Sequence, residues 1–362
     1  MNSTGSSKNL SGLRRKDFQT TIEGKETDLF FLRNDKMEIA VTNYGAAVVA
    51  IMVPDKNGKY ENVILGHDSI DKVIASPEPF LSTTIGRYGN RIANGKFTLN
   101  GKQYTLAINN GPNSLHGGPT GFHTRVWEAR QKNEHAVEFK YTSPDGEEGF
   151  PGKLEIMMTY TLTDANEWMI SYKATTNKTT IVNLTNHGFF NLAGIKNPTP
   201  TILNNILTIN ADHFIPINDV SIPTGEILKV EGTAFDFRKP RVVGDRIDAN
   251  EVQIKNGTGY DHCYVLNKVE AGELSLAAKC IEPLSRRFME VYTTEPGVQL
   301  YTGNWLNGFE GSKGATFPAR SAICFEAQHF PDTPNRPYFP SCVLRPGEEY
   351  KQVTVYKFGV EK

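Results

Sequence analysis

The chain has 362 residues, with 39 basic and 40 acidic side chains and a formal charge of -1. That balance removes the electrostatic case for a nucleic-acid partner, and no apolar run approaches the length of a membrane span. Hydrophobic residues make up 38% and there are 32 glycines besides, enough for two domains or one large β architecture with a sizeable core.

The N-terminus, "MNSTGSSKNLSGLRRKDF", is rich in Ser, Gly and Asn and then basic. It has no apolar signal-peptide core, so it predicts a flexible leader over residues 1–20 and a single domain over 21–362. The expected compartment is the cytoplasm, or the periplasm if an N-terminal signal has been removed. Period-two alternation then dominates. Met37, Ile39 and Val41 alternate with polar or small residues, and "SIDKVIAS" suggests one short helix with Ser69 as its N-cap. "LNGK" joins Phe97–Leu99 to Tyr104–Leu106 as a hairpin. Val137, Phe139 and Tyr141 alternate, as do Leu154, Ile156, Met158 and Tyr160, and then Trp168, Ile170 and Tyr172. Turn clusters such as "SPDGEEGFPG" separate these runs. The reading is all-β, with antiparallel strands so numerous that the sheet must split into packed layers. Cys263, Cys280, Cys324 and Cys342 form no CxxC pair and lie in or beside apolar runs, as small buried thiols do.

Four polar stretches interrupt the strands. "GRYGNRIANGKF" holds Arg87, Asn90 and Arg91, and "NNGPNSLHGG" holds His116. "NLTNHGFFNLAG" sets His187 among apolar residues, and "AICFEAQHFPDTPN" carries Glu326. Strand parity puts Glu326 on one face with Cys324, and Ile323 and Phe325 on the other. Its apolar flanks predict desolvation, which raises a carboxyl pKa toward the value a base needs near neutrality. Taken singly, each has a plain structural reading: salt-bridging arginines, a turn histidine, a carboxylate paired with an arginine, and Asp261 of "GYDHCYVL" at a strand-end turn.

Together these stretches, with "GFHTRVW" and "PGVQLYTGNWL", resemble the galactose mutarotase (aldose 1-epimerase) family in order and from about Arg87 onward. The resemblance implies a galactose-mutarotase-like supersandwich of large antiparallel sheets acting on a free aldohexose. It implies Glu326 as catalytic base, His187 as catalytic acid and His116 beside the reacting centre, with Arg91, Asn90, Asp261 and Gln299 on sugar hydroxyls. No cofactor is required by that chemistry, and a structural calcium elsewhere is compatible with it. A monomer or weak homodimer is expected.

Anomer exchange opens the pyranose, rotates the C1–C2 bond and recloses the ring. It needs a base for the C1 hydroxyl and an acid for the ring oxygen. An imidazolium with a reference pKa near 6.5 suits the second task. On that basis kcat/KM should fall on the acid side as Glu326 protonates and on the basic side as the imidazolium is lost. Gly188 is expected to leave room for sugar, and Phe189 or Phe190 to offer it a flat face. Three alternatives stand beside this reading: a hexose-6-phosphate 1-epimerase, a non-catalytic sugar-binding module, and a two-histidine, one-carboxylate metal site.

Overall fold

Apolar residues spaced by two turn to one side of an extended chain, and the structure is built almost wholly from that pattern. The computed structural model describes residues 9–362. Its largest sheet has nine strands in the spatial order Glu128–Asn133, Ala136–Ser143, Leu154–Leu162, Glu167–Thr176, Tyr350–Val360, Arg287–Thr293, Ser275–Ile281, Ile206–Ile209 and Arg241–Val242. Leu154, Ile156, Met158 and Tyr160 face the main core with Trp168, Ile170 and Tyr172. Tyr160 stands opposite Ile170, and Met158 opposite Tyr172. The final strand enters between Glu167–Thr176 and Arg287–Thr293, so the end of the chain completes the middle of the sheet.

A five-stranded sheet packs against this one and carries the site. Three of its strands matter here: β1 (Asp261–Val265), β2 (Gly297–Tyr301) and β3 (Cys324–Gln328), with β2 between the other two. One face sends Tyr264, Val298, Leu300 and Phe325 into the main core. Tyr356, from the last strand of the nine-stranded sheet, donates its hydroxyl to the Phe325 carbonyl at 2.8 Å. Two sheets joined by interleaved side chains make the expected sandwich. All of β3 is buried, because both of its faces are covered.

A four-stranded sheet (Leu29–Arg33, Glu38–Thr42, Val48–Pro54, Tyr60–Asn62) lies near the N-terminus. The alternation at Met37, Ile39 and Val41 predicts a half-buried strand, yet every residue of Glu38–Thr42 is buried. The reason corrects the expected leader. Leu13 and Phe18 pack with Leu29, Ala40 and Ala50 on the second face. Glu38 accepts hydrogen bonds from the backbone N–H groups of Leu10 (3.2 Å) and Ser11 (2.9 Å). Residues 10–18 are therefore part of the packed structure, and residues 1–8 of the expected leader lie outside the described residues. Two local expectations hold. Ser69 caps the helix α1 (Ile70–Ile74), and the Phe97 hairpin turns on Asn100 (φ 50°) and Gly101 (φ 75°), both positive as a type I′ turn requires. All four cysteines are free and buried. Among the described residues no helix is long and apolar enough to cross a membrane.

Arg87 has a structural task. Its side chain is buried, and its guanidinium donates to the carbonyls of Ser143 (3.2 Å), Pro144 (3.1 Å) and Pro151 (2.7 Å) and to the Ser143 hydroxyl (2.8 Å). Burial lowers its pKa to about 10, against the pull of Glu147 and Asp145. Arg87→Met would leave those carbonyls without donors. We expect it to reduce the unfolding free energy by at least about 2 kcal/mol, read from urea unfolding, with no change in sugar KM.

Candidate active site

The register of three strands arranges the site. Across them, Asp261 pairs with Tyr301 and Tyr301 with Cys324; one row along, Cys263 pairs with Gln299 and Gln299 with Glu326. Alternation sends all six side chains to the face away from the main core. Gln299 reaches diagonally and donates from Nε2 to Asp261 Oδ1 at 2.8 Å, which leaves its own Oε1 buried and unpartnered. Arg91 Nη2 lies 3.9 Å from the other Asp261 oxygen, and its Nε donates to Asn110 Oδ1 at 2.9 Å.

Asn90 and His116 hold each other. The Asn90 N–H donates to His116 Nδ1 at 3.0 Å, and the His116 N–H donates back to the Asn90 carbonyl at 3.0 Å. Both residues sit in the left-handed region, at φ 66° and 52°, which non-glycine residues adopt uncommonly. Gly117 follows at φ 82°, and a Cβ there would lie 2.0 Å from the Gly86 carbonyl oxygen, so the glycine after His116 is obligatory. Because Nδ1 accepts a hydrogen bond, the neutral ring carries its proton on Nε2.

His187 is fixed from both sides of its backbone: its N–H donates to Thr83 O (2.9 Å) and its carbonyl accepts from Ser82 N (3.1 Å). Its ring stacks on Phe189 with centroids 4.6 Å apart and meets His116 edge-on at 5.1 Å. Phe80 covers the two histidines from the loop before Ser82, 4.8 Å from His116 and 6.4 Å from His187.

The Glu326 carboxyl group lies between the two imidazoles. His187 Nε2 is 3.5 Å from Oε1, and His116 Nε2 is 3.9 Å from Oε2. Glu326 is only 2% exposed. Burial pushes its pKa well above the usual carboxylate range, Asp261 and Glu78 add to that, and Arg91 opposes it. Burial likewise depresses His187 to about 3 and His116 well below the ordinary imidazole value. Asp261 is raised by burial, against Arg91 and the Gln299 hydrogen bond. Both members of the Glu326–His187 pair are therefore driven toward their neutral forms. Burial therefore disfavours a resident imidazolium here, against the expectation drawn from the reference pKa.

All seven expected site residues (Asn90, Arg91, His116, His187, Asp261, Gln299 and Glu326) meet on this face, whereas Arg87 does not. Two finer expectations fail. The space beside Gly188 is filled by the Phe190 ring, which a Cβ would approach to 2.7 Å. Phe189 and Phe190 are both fully buried, the first against His187 and the second in the main core, so neither offers a face to a ligand. Sequence reasoning missed Tyr301, Phe80 and Glu78. Tyr301 was within reach, since it shares strand parity with Gln299. Phe80 and Glu78 sit in an irregular loop with no periodic signal.

A carboxyl group between two imidazoles in a buried niche, hung from a supersandwich, is a site equipped for proton transfer. The profile of the aldose 1-epimerase family matches residues 28–357. Bovine galactose mutarotase is 45% identical over 332 residues, which covers 91% of this chain and 94% of that protein. The aldose 1-epimerase of Escherichia coli K12 is 37% identical over 348 residues, 94% of this chain and 97% of that one. Among solved structures, an aldose epimerase homologue from C. elegans superposes with a TM-score of 0.85 at 32% identity, covering 93% of this chain and all of that one. The chain belongs to the aldose 1-epimerase family.

Proposed function

We propose that the enzyme interconverts the α and β anomers of free, neutral aldohexoses such as galactose and glucose, with Glu326 as base and His187 as acid. The observation that carries this reading is the Glu326 carboxyl group set 3.5 Å from His187 Nε2 in a buried niche. The C1 hydroxyl oxygen and the ring oxygen are bonded to the same carbon. The groups that serve them must therefore be close neighbours, as these two are. Glu326 takes the proton of the C1 hydroxyl while His187 delivers one to the ring oxygen, and the ring opens. After rotation about C1–C2 both transfers reverse, so no proton is consumed. His116, with its Nε2–H held toward the same carboxyl group, steadies the charge on it. Arg91, Asn90, Asp261 and Gln299 take sugar hydroxyls, and the idle Oε1 of Gln299 is a ready acceptor.

The pair holds one proton. Burial keeps that proton on the carboxyl group in the empty pocket, whereas ring opening starts from the form with the proton on His187. The limbs of the pH profile belong to the pair. The upper limb reports loss of the Glu326 proton, and the lower limb a second protonation at His187, near its depressed pKa of about 3. This reverses the assignment expected from reference values.

The charge around the site favours neutral sugars over hexose 6-phosphates. Arg91 is already committed toward Asp261, while Asp261, Glu78 and Glu326 are carboxyl groups. A silent sugar-binding module would have no use for an acid and a base held in contact. The two histidines and Glu326 do bring three ligand atoms within 4.8 Å of one another. A metal, however, would need the His116 Nε2 lone pair, and the Asn90 N–H at Nδ1 places a proton on Nε2 instead. We therefore read the three as proton carriers that require no cofactor.

Polarimetry of freshly dissolved sugar tests the reading. Wild type should speed the mutarotation of α-D-galactose and α-D-glucose well above that of glucose 6-phosphate. Glu326→Gln keeps the shape of the base but cannot accept the proton, and should abolish the acceleration. Residual activity within tenfold of wild type would remove Glu326 from its role. His187→Asn should lower kcat by roughly 10²–10⁴-fold with a smaller effect on galactose binding, and the lower limb should disappear. A variant with wild-type kcat would pass the acid role to His116.

A further inference from the structure

Alternation along β3 places Gln328 on the same face as Glu326, one pleat further on. Gln328 has 0% exposure, and its amide nitrogen and oxygen find no oxygen or nitrogen partner, only the Cys263 thiol. Opposite it in register stands Gly297, which has no side chain to fill the space between them. The Cys263 thiol and the Phe330 ring close that space: a Cβ on Gly297 would lie 2.9 Å from Sγ and 3.0 Å from the ring. A thiol is a weak donor and a weak acceptor, so it satisfies little of an amide. A leucine or methionine would fill the place without burying polar atoms.

Two other side chains on this face also hold idle buried atoms, Gln299 through Oε1 and Glu326 through Oε2. Both atoms are oxygens. The Gln299 amide nitrogen is spent on Asp261. Among the described residues of this face, Gln328 thus supplies an amide donor held by nothing stronger than a thiol, and Glu326 becomes a demanding acceptor once it ionises.

We propose that Gln328 is a positioning residue for Glu326: its amide N–H bonds the Glu326 carboxylate when that carboxylate forms, and holds it in the orientation that meets the C1 hydroxyl. This rests on the reading of Glu326 as the base. The other groups facing Glu326 do not fill this role. His116 and His187 are the proton-carrying neighbours, and Asp261 and Glu78 repel a second negative charge. Cys263, Cys324 and Tyr356 are buried acids that are themselves held neutral. Arg91 alone attracts the carboxylate by charge, and it is shared with Asp261. A neutral donor stabilises the anion without bringing a proton that could be lost.

Gln328→Met preserves the shape and removes the donor. Because the amide has only the Cys263 thiol as a partner in the resting protein, thermal stability should hold. The upper limb of kcat/KM should move to higher pH by about one unit, and the plateau should fall about tenfold, because hydrogen bonding to the charged form is what favoured it. KM for galactose should stay within about twofold, as expected for an interaction confined to the reacting form. An unmoved limb and plateau would overturn the proposal, and so would a loss of stability with the limb in place. Should the variant fail to fold, the side-chain amide resonance of Gln328 in wild type serves instead. It should shift with the midpoint of the upper limb, and a resonance indifferent to pH overturns the proposal. Inactive Glu326→Gln with an unmoved Gln328→Met limb would sink this proposal alone. Active Glu326→Gln would sink the reading beneath it.

Discussion

Glu326 stands in the middle of a buried strand, and its side chain is almost wholly withdrawn from solvent. A buried carboxylate keeps its proton until something replaces the lost solvation. Much of the surrounding structure is arranged around that fact. His187 and His116 lie 3.5 and 3.9 Å from the carboxyl group, and burial disfavours the charged form of each. Burial thus disfavours charge on the carboxyl group and on its histidines alike. Chemistry that moves a proton out and back, with no net transfer to water, suits such a niche.

The niche keeps its geometry because backbone, more than side chains, sets it. Glu326 and Gln299 are neighbours by strand register. His187 is pinned by two backbone hydrogen bonds to the Ser82–Thr83 segment, and His116 by two to Asn90. The strand of Glu326 is tied in turn to the C-terminal strand through the Tyr356 hydroxyl. The last strand of the chain, in the middle of the large sheet, thus supports the strand that carries the base candidate. Rigid placement on strands, with positive-φ residues where the loops must turn sharply, is the expected economy for a site that acts by position.

The sequence revealed the strands most clearly where one face is buried and the other is not, as at Leu154–Leu162. It also revealed the chemistry-bearing residues, because His116, His187 and Glu326 interrupt apolar or Gly-rich stretches. It did not reveal what depends on contacts distant in sequence. Glu38–Thr42 looked half-buried because nothing in its own residues announces that Leu13 and Phe18 will cover it. Gly188 looked like room for a ligand because the Phe190 ring that fills the space is placed by the core. The helix at Val252–Gly257 has no side-chain cap to mark its start. Protonation was the least legible property of all. A histidine letter suggests a pKa near 6.5, and its depression here comes from burial by several separate segments.

Burial should leave the proton of the resting site on Glu326 and both histidines neutral. Nitrogen-15 NMR of histidine-labelled enzyme without sugar tests it directly, since imidazole and imidazolium nitrogens resonate far apart. Followed from pH 8 down to pH 5, His187 should remain neutral throughout, and His116 should remain neutral with its proton on Nε2. Titration of either ring with a midpoint near 6.5, or a His116 proton on Nδ1, would contradict the account.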